Sequence, residues 1–187
     1  MVKKKACVFI SGSGTNLKSI INNSRDYNFP INIKLIISNK KNAGGIYFAK
    51  KFAIPFIILD MGKKKFEQMA LKELISRKID LLCLAGFMKM LSKNFVRNFK
   101  GKIINIHPSL LPKYKGLNTF KRVLKAGEKI TGCTVHMVNE KLDDGKIIIK
   151  KRVLISRMDS PEELKKKVQS EEYKAYSIAI RRMYSFS

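Results

Sequence analysis

Two histidines occur in the chain, His107 and His136. His107 follows the apolar run 103–106 and precedes Pro108. The run reads as a strand, so Asn105 and His107, two residues apart, project to one face of it. Ligands bind at the carboxyl ends of strands in open α/β sheets. An amide and an imidazole aimed into one cleft can both donate to an oxygen that is gaining negative charge. His136 lies in the alternating run Cys133-Thr134-Val135-His136-Met137-Val138, a pattern that suits a structural or substrate-lining ring better than a reacting one. Asp143 and Asp144 stand in the polar segment 139–145, where residue type alone indicates two solvated turn residues closing on Gly145.

A second candidate is Ser11-Gly12-Ser13-Gly14-Thr15-Asn16, between the apolar run 5–10 and the helically spaced Leu17, Ile20 and Ile21. Glycines there let the chain turn tightly and let a phosphate approach the amide groups, and a helix start adds partial positive charge. The alternative is a plain turn with Asn16 as the helix cap. The segment is not a full G-x-G-x-x-G, because Leu17 holds the third glycine position, and no G-x-x-x-x-G-K-[ST] is present.

The elements that must position these groups are legible from periodicity. Strands are expected at 5–10, 31–38, 56–59, 81–85 and 103–106. Helices are expected after Asn16, at 46–52, through Phe66, Met69, Leu71, Leu74 and Ile75, and in a short turn around Phe95 capped by Ser92. Strands alternating with helices imply a parallel sheet, and continuous apolar runs imply strands covered on both faces. Beyond His107, the segment 108–116 holds two prolines and cannot be a long regular element. A helix at 119–126 and strands at 131–138 and 147–155 follow. Ser160-Pro161-Glu162-Glu163 opens a last helix as a capping box, running to about Met183. The fold class is α/β: a single Rossmann-like domain with a mostly parallel central sheet and helices on both faces. Residues 1–100 would form a phosphate-binding half and residues 101–187 a catalytic half.

Composition narrows the classes. The chain has 187 residues, of which 39 are Lys or Arg and 14 are Asp or Glu, a net charge of +25. The lysines are scattered and do not form one stripe, which argues against a specific nucleic-acid surface. A basic RNA-binding module, the alternative from another class, would cluster them with exposed aromatics. No apolar run is long enough to span a bilayer. The N-terminal apolar run stops at Ile10 without a cleavage site, so a cytoplasmic protein is expected. Cys7, Cys83 and Cys133 sit apart in apolar runs and show no metal-ligand spacing. Buried reduced thiols are therefore expected, and no metal.

Four segments carry a family resemblance. They are Ile10-Ser11-Gly12-Ser13-Gly14-Thr15-Asn16-Leu17, Leu84-Ala85-Gly86-Phe87-Met88-Lys89-Met90-Leu91, Asn105-Ile106-His107-Pro108-Ser109-Leu110-Leu111-Pro112 and Gly132-Cys133-Thr134-Val135-His136. In this order and spacing they resemble the folate-dependent formyltransferases, in particular the phosphoribosylglycinamide formyltransferase family, from Val8 to about Glu172. The resemblance implies transfer of the formyl group of 10-formyltetrahydrofolate to phosphoribosylglycinamide in purine biosynthesis. It implies Asn105, His107 and Asp143 as the catalytic residues. Gly14, Thr15 and Asn16 would hold the substrate phosphate, and Gln169 and Glu172 would contact the rest of that substrate. Met88, Lys89, Met90 and Leu91 would line the pterin pocket. Asn139, Glu140, Lys141 and Leu142 would form a folate loop, with Lys63 facing the folate. Asp143, through water, would carry the proton from the attacking nitrogen to the leaving one. Small-molecule substrates are thus the expected partners, in a monomer or homodimer.

Lys63 stands where relatives often have arginine, Asn118 where they often have histidine, and the chain ends at Ser187, soon after the last helix. A methionyl-tRNA formyltransferase shares the Asn-x-His…Asp core but would need a second, C-terminal domain. A formyltetrahydrofolate hydrolase would carry an N-terminal regulatory domain.

Overall fold

The computed structural model describes residues 2–184. Seven strands in the order β3-β2-β1-β4-β5-β6-β7 make a mostly parallel sheet, as the alternating pattern requires. The residues group into two compact units, one up to Ile104 and one from Asn105 onward.

The first unit contains β1 (Lys4–Ile10), α1 (Thr15–Ser24), β2 (Ile31–Ser38), α2 (Gly45–Lys51), β3 (Phe56–Ile58), α3 (Lys63–Ser76), β4 (Leu81–Leu84) and α4 (Lys93–Asn98). β1 pairs in parallel with β2 and β4, and β2 with β3. Residues Ala6 to Ile10 and all of β4 are buried, as expected of strands covered on both faces. Phe9 organises the core. Its ring lies edge-on to Phe66 at 5.5 Å and within 5.3 Å of Phe87 and 6.1 Å of Phe95. Phe66 in turn stacks on Phe87 at 5.5 Å. Such pairs add directional attraction to the area they bury. They tie α3, α4 and the segment after β4 to β1. Ser92 caps α4 as expected, its hydroxyl accepting from the Phe95 N–H at 3.1 Å.

The second unit contains the end of β5 (Lys102–His107), α5 (Thr119–Lys125), β6 (Ile130–Met137), β7 (Ile147–Leu154) and α6 (Pro161–Tyr184). β6 and β7 run antiparallel, with a register shift between Val135 and His136. α6 packs on both. Its capping box is formed: the Glu163 N–H donates to Ser160 Oγ at 3.2 Å and the Ser160 N–H donates to Glu163 Oε2 at 2.8 Å. The three cysteines are buried thiols, and burial pushes that of Cys133 up to about 12.

The plain-turn alternative for the glycine loop is not what forms. Asn16 does not cap α1. The cap position is Gly14, at φ 77°, with no side-chain capping bond, and Asn16 is buried within the first turn. The reason is the close approach of α2: a Cβ on Gly14 would lie 2.3 Å from Gly45 Cα. Only glycine serves both the left-handed backbone and that contact. Gly14→Ala is therefore expected to cost about 1–3 kcal/mol of stability and to lower the midpoint of thermal unfolding by several degrees. An unchanged midpoint would show that the two helices separate without penalty.

Candidate active site

In the second unit, β5 ends at His107 and β6 presents His136, each on a strand. Asp143 comes from the 139–145 turn at φ 46°, a left-handed conformation that few residues other than glycine adopt. The three side chains and Asn105 form one connected chain. Asn105 Nδ2 lies 3.4 Å from His136 Nε2. His136 Nε2 lies 3.7 Å from Asp143 Oδ1, and Asp143 Oδ2 lies 3.2 Å from His107 Nδ1. Asp143 Oδ2 also accepts the Gly116 N–H at 2.9 Å. Asp143 is only 9% exposed and His107 5%. A buried carboxylate needs such partners, because desolvating an unpaired charge is costly. Asp143 is thus no solvated turn residue. Asp144 is: it is exposed and forms an ion pair with Lys115.

The two imidazoles are held differently. His136 Nδ1 faces the Met137 carbonyl at 2.8 Å, so the neutral ring carries its proton there and leaves Nε2 to accept from Asn105. Burial holds the His136 ring below its ordinary value of 6.5, against the Met137 bond and the Asp143 charge, which favour the proton. His107 instead faces two acceptors, Asp143 through Nδ1 and the Tyr114 carbonyl through Nε2 at 2.9 Å. A ring donating to both carries a proton on each nitrogen. His136 is therefore more than a lining residue, since it orients the Asn105 amide. Its alternating strand position gave the face but not the partner. The Gly116 N–H and Tyr114 carbonyl are backbone groups with no residue-type signal at all.

The other implied folate and substrate residues of this unit are placed as follows. Asn139, Lys141 and Leu142 are exposed in the turn that carries Asp143, and Glu140 is half-buried. Gln169 is half-buried and Glu172 is buried, one turn apart on α6. Asn118 opens α5 in a left-handed conformation, φ 56°.

In the first unit the glycine loop and the 86–91 segment meet directly. The Ser11 hydroxyl accepts the Met88 N–H at 2.9 Å and donates to Asn39 Oδ1 at 2.6 Å. Thr15 and Asn16 lie in the first turn of α1, where backbone N–H groups point outward from the helix start. Met88 and Met90 are exposed and Leu91 is buried. Lys89 donates to the Met61 carbonyl at 3.2 Å and lies over the Phe66 ring. Lys63 lines a cavity of about 460 Å³ with Lys64, Gln68, Leu71 and Phe95 among others. Among the described residues, no three or more His, Cys, Asp or Glu gather as metal ligands, and no helix is long and apolar enough to cross a membrane.

The lowered affinity of His136 for protons has a consequence for stability. As pH falls below 6.5, the unfolded ring takes up its proton first, so stability is full above that value and is lost as pH falls toward the lower folded value. His136→Gln removes the titration and keeps an acceptor for Asn105. Urea unfolding at pH 7.5 and pH 5.5 is expected to show a smaller acid loss in the variant, and an equal loss in both proteins would place the effect elsewhere.

A family model described as Formyl transferase matches residues 4–180. The chain is 42% identical over 183 residues to the phosphoribosylglycinamide formyltransferase of Haemophilus influenzae, covering 95% of this chain and 86% of that one. It is 40% identical over 183 residues to the trifunctional purine biosynthetic protein adenosine-3 of Gallus gallus, covering 96% of this chain and 18% of that much longer protein. The crystal structure of phosphoribosylglycinamide formyltransferase from Bacillus halodurans matches with a TM-score of 0.92 at 34% identity, over 97% of this chain and 96% of that one. Matched over nearly its whole length by sequence and by fold, the chain belongs to the formyl transferase family.

Proposed function

We propose that the chain transfers the formyl group of 10-formyltetrahydrofolate to the amine of 5′-phosphoribosylglycinamide, giving the formylated ribonucleotide and tetrahydrofolate. The observation that carries this reading is the chain from half-buried Asn105 through buried His136 and Asp143 to His107, with hydrogen-bond donors and one carboxylate in a single cluster. The substrate class rests on the relatives' names.

The chemistry follows from the donor set. The amine attacks the formyl carbon, a C–N bond forms, and the carbonyl oxygen takes the negative charge. Asn105 has two N–H groups on Nδ2. With one held by His136, the second can donate to that oxygen. His107, with both nitrogens given to Tyr114 and Asp143, acts by its charge beside the oxyanion. Preorganised donors and charges of this kind need no reorganisation during reaction, and losing one typically costs ~10²–10³ in rate. The Asp143 carboxylate, through a water, takes the proton from the attacking nitrogen and returns it to the folate nitrogen as the old C–N bond breaks.

Binding is assigned by charge and surface. The substrate phosphate would sit on the N–H groups of Gly14, Thr15 and Asn16 at the start of α1. Gln169 and Glu172 would contact the glycinamide ribose portion. Met88, Lys89, Met90, Leu91 and the 139–142 turn would hold the folate, with Lys63 meeting its carboxylates. Residues 1–100 would then serve mainly the phosphate and residues 101–187 the reaction, in a cytoplasmic enzyme acting as a monomer or homodimer. No metal and no covalent enzyme intermediate are required by these steps.

The change in folate absorbance on adding phosphoribosylglycinamide tests the assignment. Wild type is expected to turn over. His107→Ala and Asp143→Asn are expected to lose at least ~10²-fold in kcat while keeping the native circular dichroism spectrum. Near wild-type rates in either variant would remove that residue from the mechanism. A wild type inactive with this amine would reopen the choice of acceptor.

A further inference from the structure

The His107 ring is oriented by a backbone carbonyl, and that carbonyl belongs to a residue in an unfavourable conformation. Tyr114 has φ 57°, left-handed for a bulky side chain. Such a conformation persists only where the surroundings over-determine it. Around Tyr114 they do. Its phenol donates to Glu128 Oε1 at 2.9 Å, just after α5. Lys113 Nζ donates to the same oxygen at 2.8 Å. These two bonds hold the Glu128 carboxyl below its ordinary range. The Arg122 guanidinium, on α5, lies 5.6 Å from the centre of the Tyr114 ring and donates to the Lys115 carbonyl at 2.6 Å. On the other side, the Ser109 hydroxyl donates to the Lys113 carbonyl at 2.6 Å, and Thr134 Oγ1 donates to the Ser109 carbonyl at 2.7 Å. The segment between β5 and α5 is thus gripped at both ends, and the Tyr114 carbonyl emerges toward His107 Nε2.

We propose that Tyr114 and Glu128 are positioning residues for His107: their phenol–carboxylate bond aims the Tyr114 carbonyl at Nε2 and so fixes the orientation of the ring and the proton on that nitrogen. The catalytic part of this inference rests on the formyl-transfer reading, while the structural part does not. A carbonyl at one nitrogen and a carboxylate at the other make a two-acceptor cradle. Only a ring in one orientation, with a proton on each nitrogen, satisfies both. Residues that orient a reacting imidazole in this way act through it, without touching substrate.

Tyr114→Phe and Glu128→Met each remove the phenol–carboxylate bond, the first keeping the ring and the second the length of the side chain. Long-range ¹H–¹⁵N spectra of the imidazoles provide the readout, because the chain contains only His107 and His136. Their signals are told apart with His136→Gln. The His107 Nε2 resonance is expected to shift in both variants while the His136 resonances stay in place. In the formyl-transfer assay kcat is expected to fall about tenfold, below the ~10²-fold that a full misplacement brings, with KM for both substrates unchanged. The double variant should be no slower than either single one, since one bond is lost in all three. Unmoved His107 resonances in both variants would overturn the inference whatever the rates, and so would a shifted ring with undiminished kcat. If wild type shows no formyl transfer, it is the functional reading that fails, and the ring resonances alone then decide whether the clamp exists.

Discussion

The structure of the second unit depends on how one carboxylate is kept out of water. Asp143 accepts the Gly116 N–H and faces both histidines of the chain. Removing a carboxylate from solvent is tolerable only where other groups replace its hydration. Meeting that requirement brings two turns together at defined spacing. Asp143, Tyr114 and Asn118 all adopt positive φ, and all three lie in those turns. The backbone there is bent to serve the carboxylate and the ring beside it. The Lys115–Asp144 ion pair closes the same two turns from the solvent side.

The two histidines illustrate how position decides role. His136 lies within a strand, and its Nδ1 is taken by the carbonyl of the next residue. That bond and the burial make it a neutral acceptor, which suits it to orient an amide. His107 is at a strand end, where the chain leaves the sheet at Pro108 and can present two acceptors to its ring. Identical side chains on neighbouring strands therefore face different partners, an amide in one case and two acceptors in the other. The site thus pairs one strand-held donor, Asn105, with one turn-held carboxylate, Asp143.

Much of this was legible in the sequence, for identifiable reasons. β4 and the buried part of β1 are continuous apolar runs, and such runs have few alternative uses. The capping box of α6 and the Ser92 cap are local and formed as the residue types indicate. Asn105 and His107 shared a face because a strand has a period of two. Asp143 was not separable from Asp144 by composition, since burial of one and exposure of the other depends on the Gly116 N–H, a contact 27 residues away. The alternative of Asn16 as a cap could not be set aside from residue types, because nothing local shows that α2 approaches Gly14. The Tyr114 carbonyl was invisible for a simpler reason: every residue has one.

The net charge of +25 finds its place in the same terms. With 39 basic and 14 acidic residues, pairing every acid would still leave 39 − 14 = 25 basic side chains without a counter-charge. The few acids are therefore informative. Asp144, Glu128 and Asp159 are each paired with a lysine beside a turn or a helix start, and Glu163 completes a cap. Others pair along a helix face, as Glu73 does with Arg77 and Glu171 with Lys174. Both proposed substrates are anions, one through a phosphate and the other through carboxylates. A positive field spread over the whole molecule raises the rate at which such ligands arrive without specifying either. Under the proposed function, specificity is then left to short-range groups such as Asn105, His107 and Asp143, in a chain whose charge is scattered.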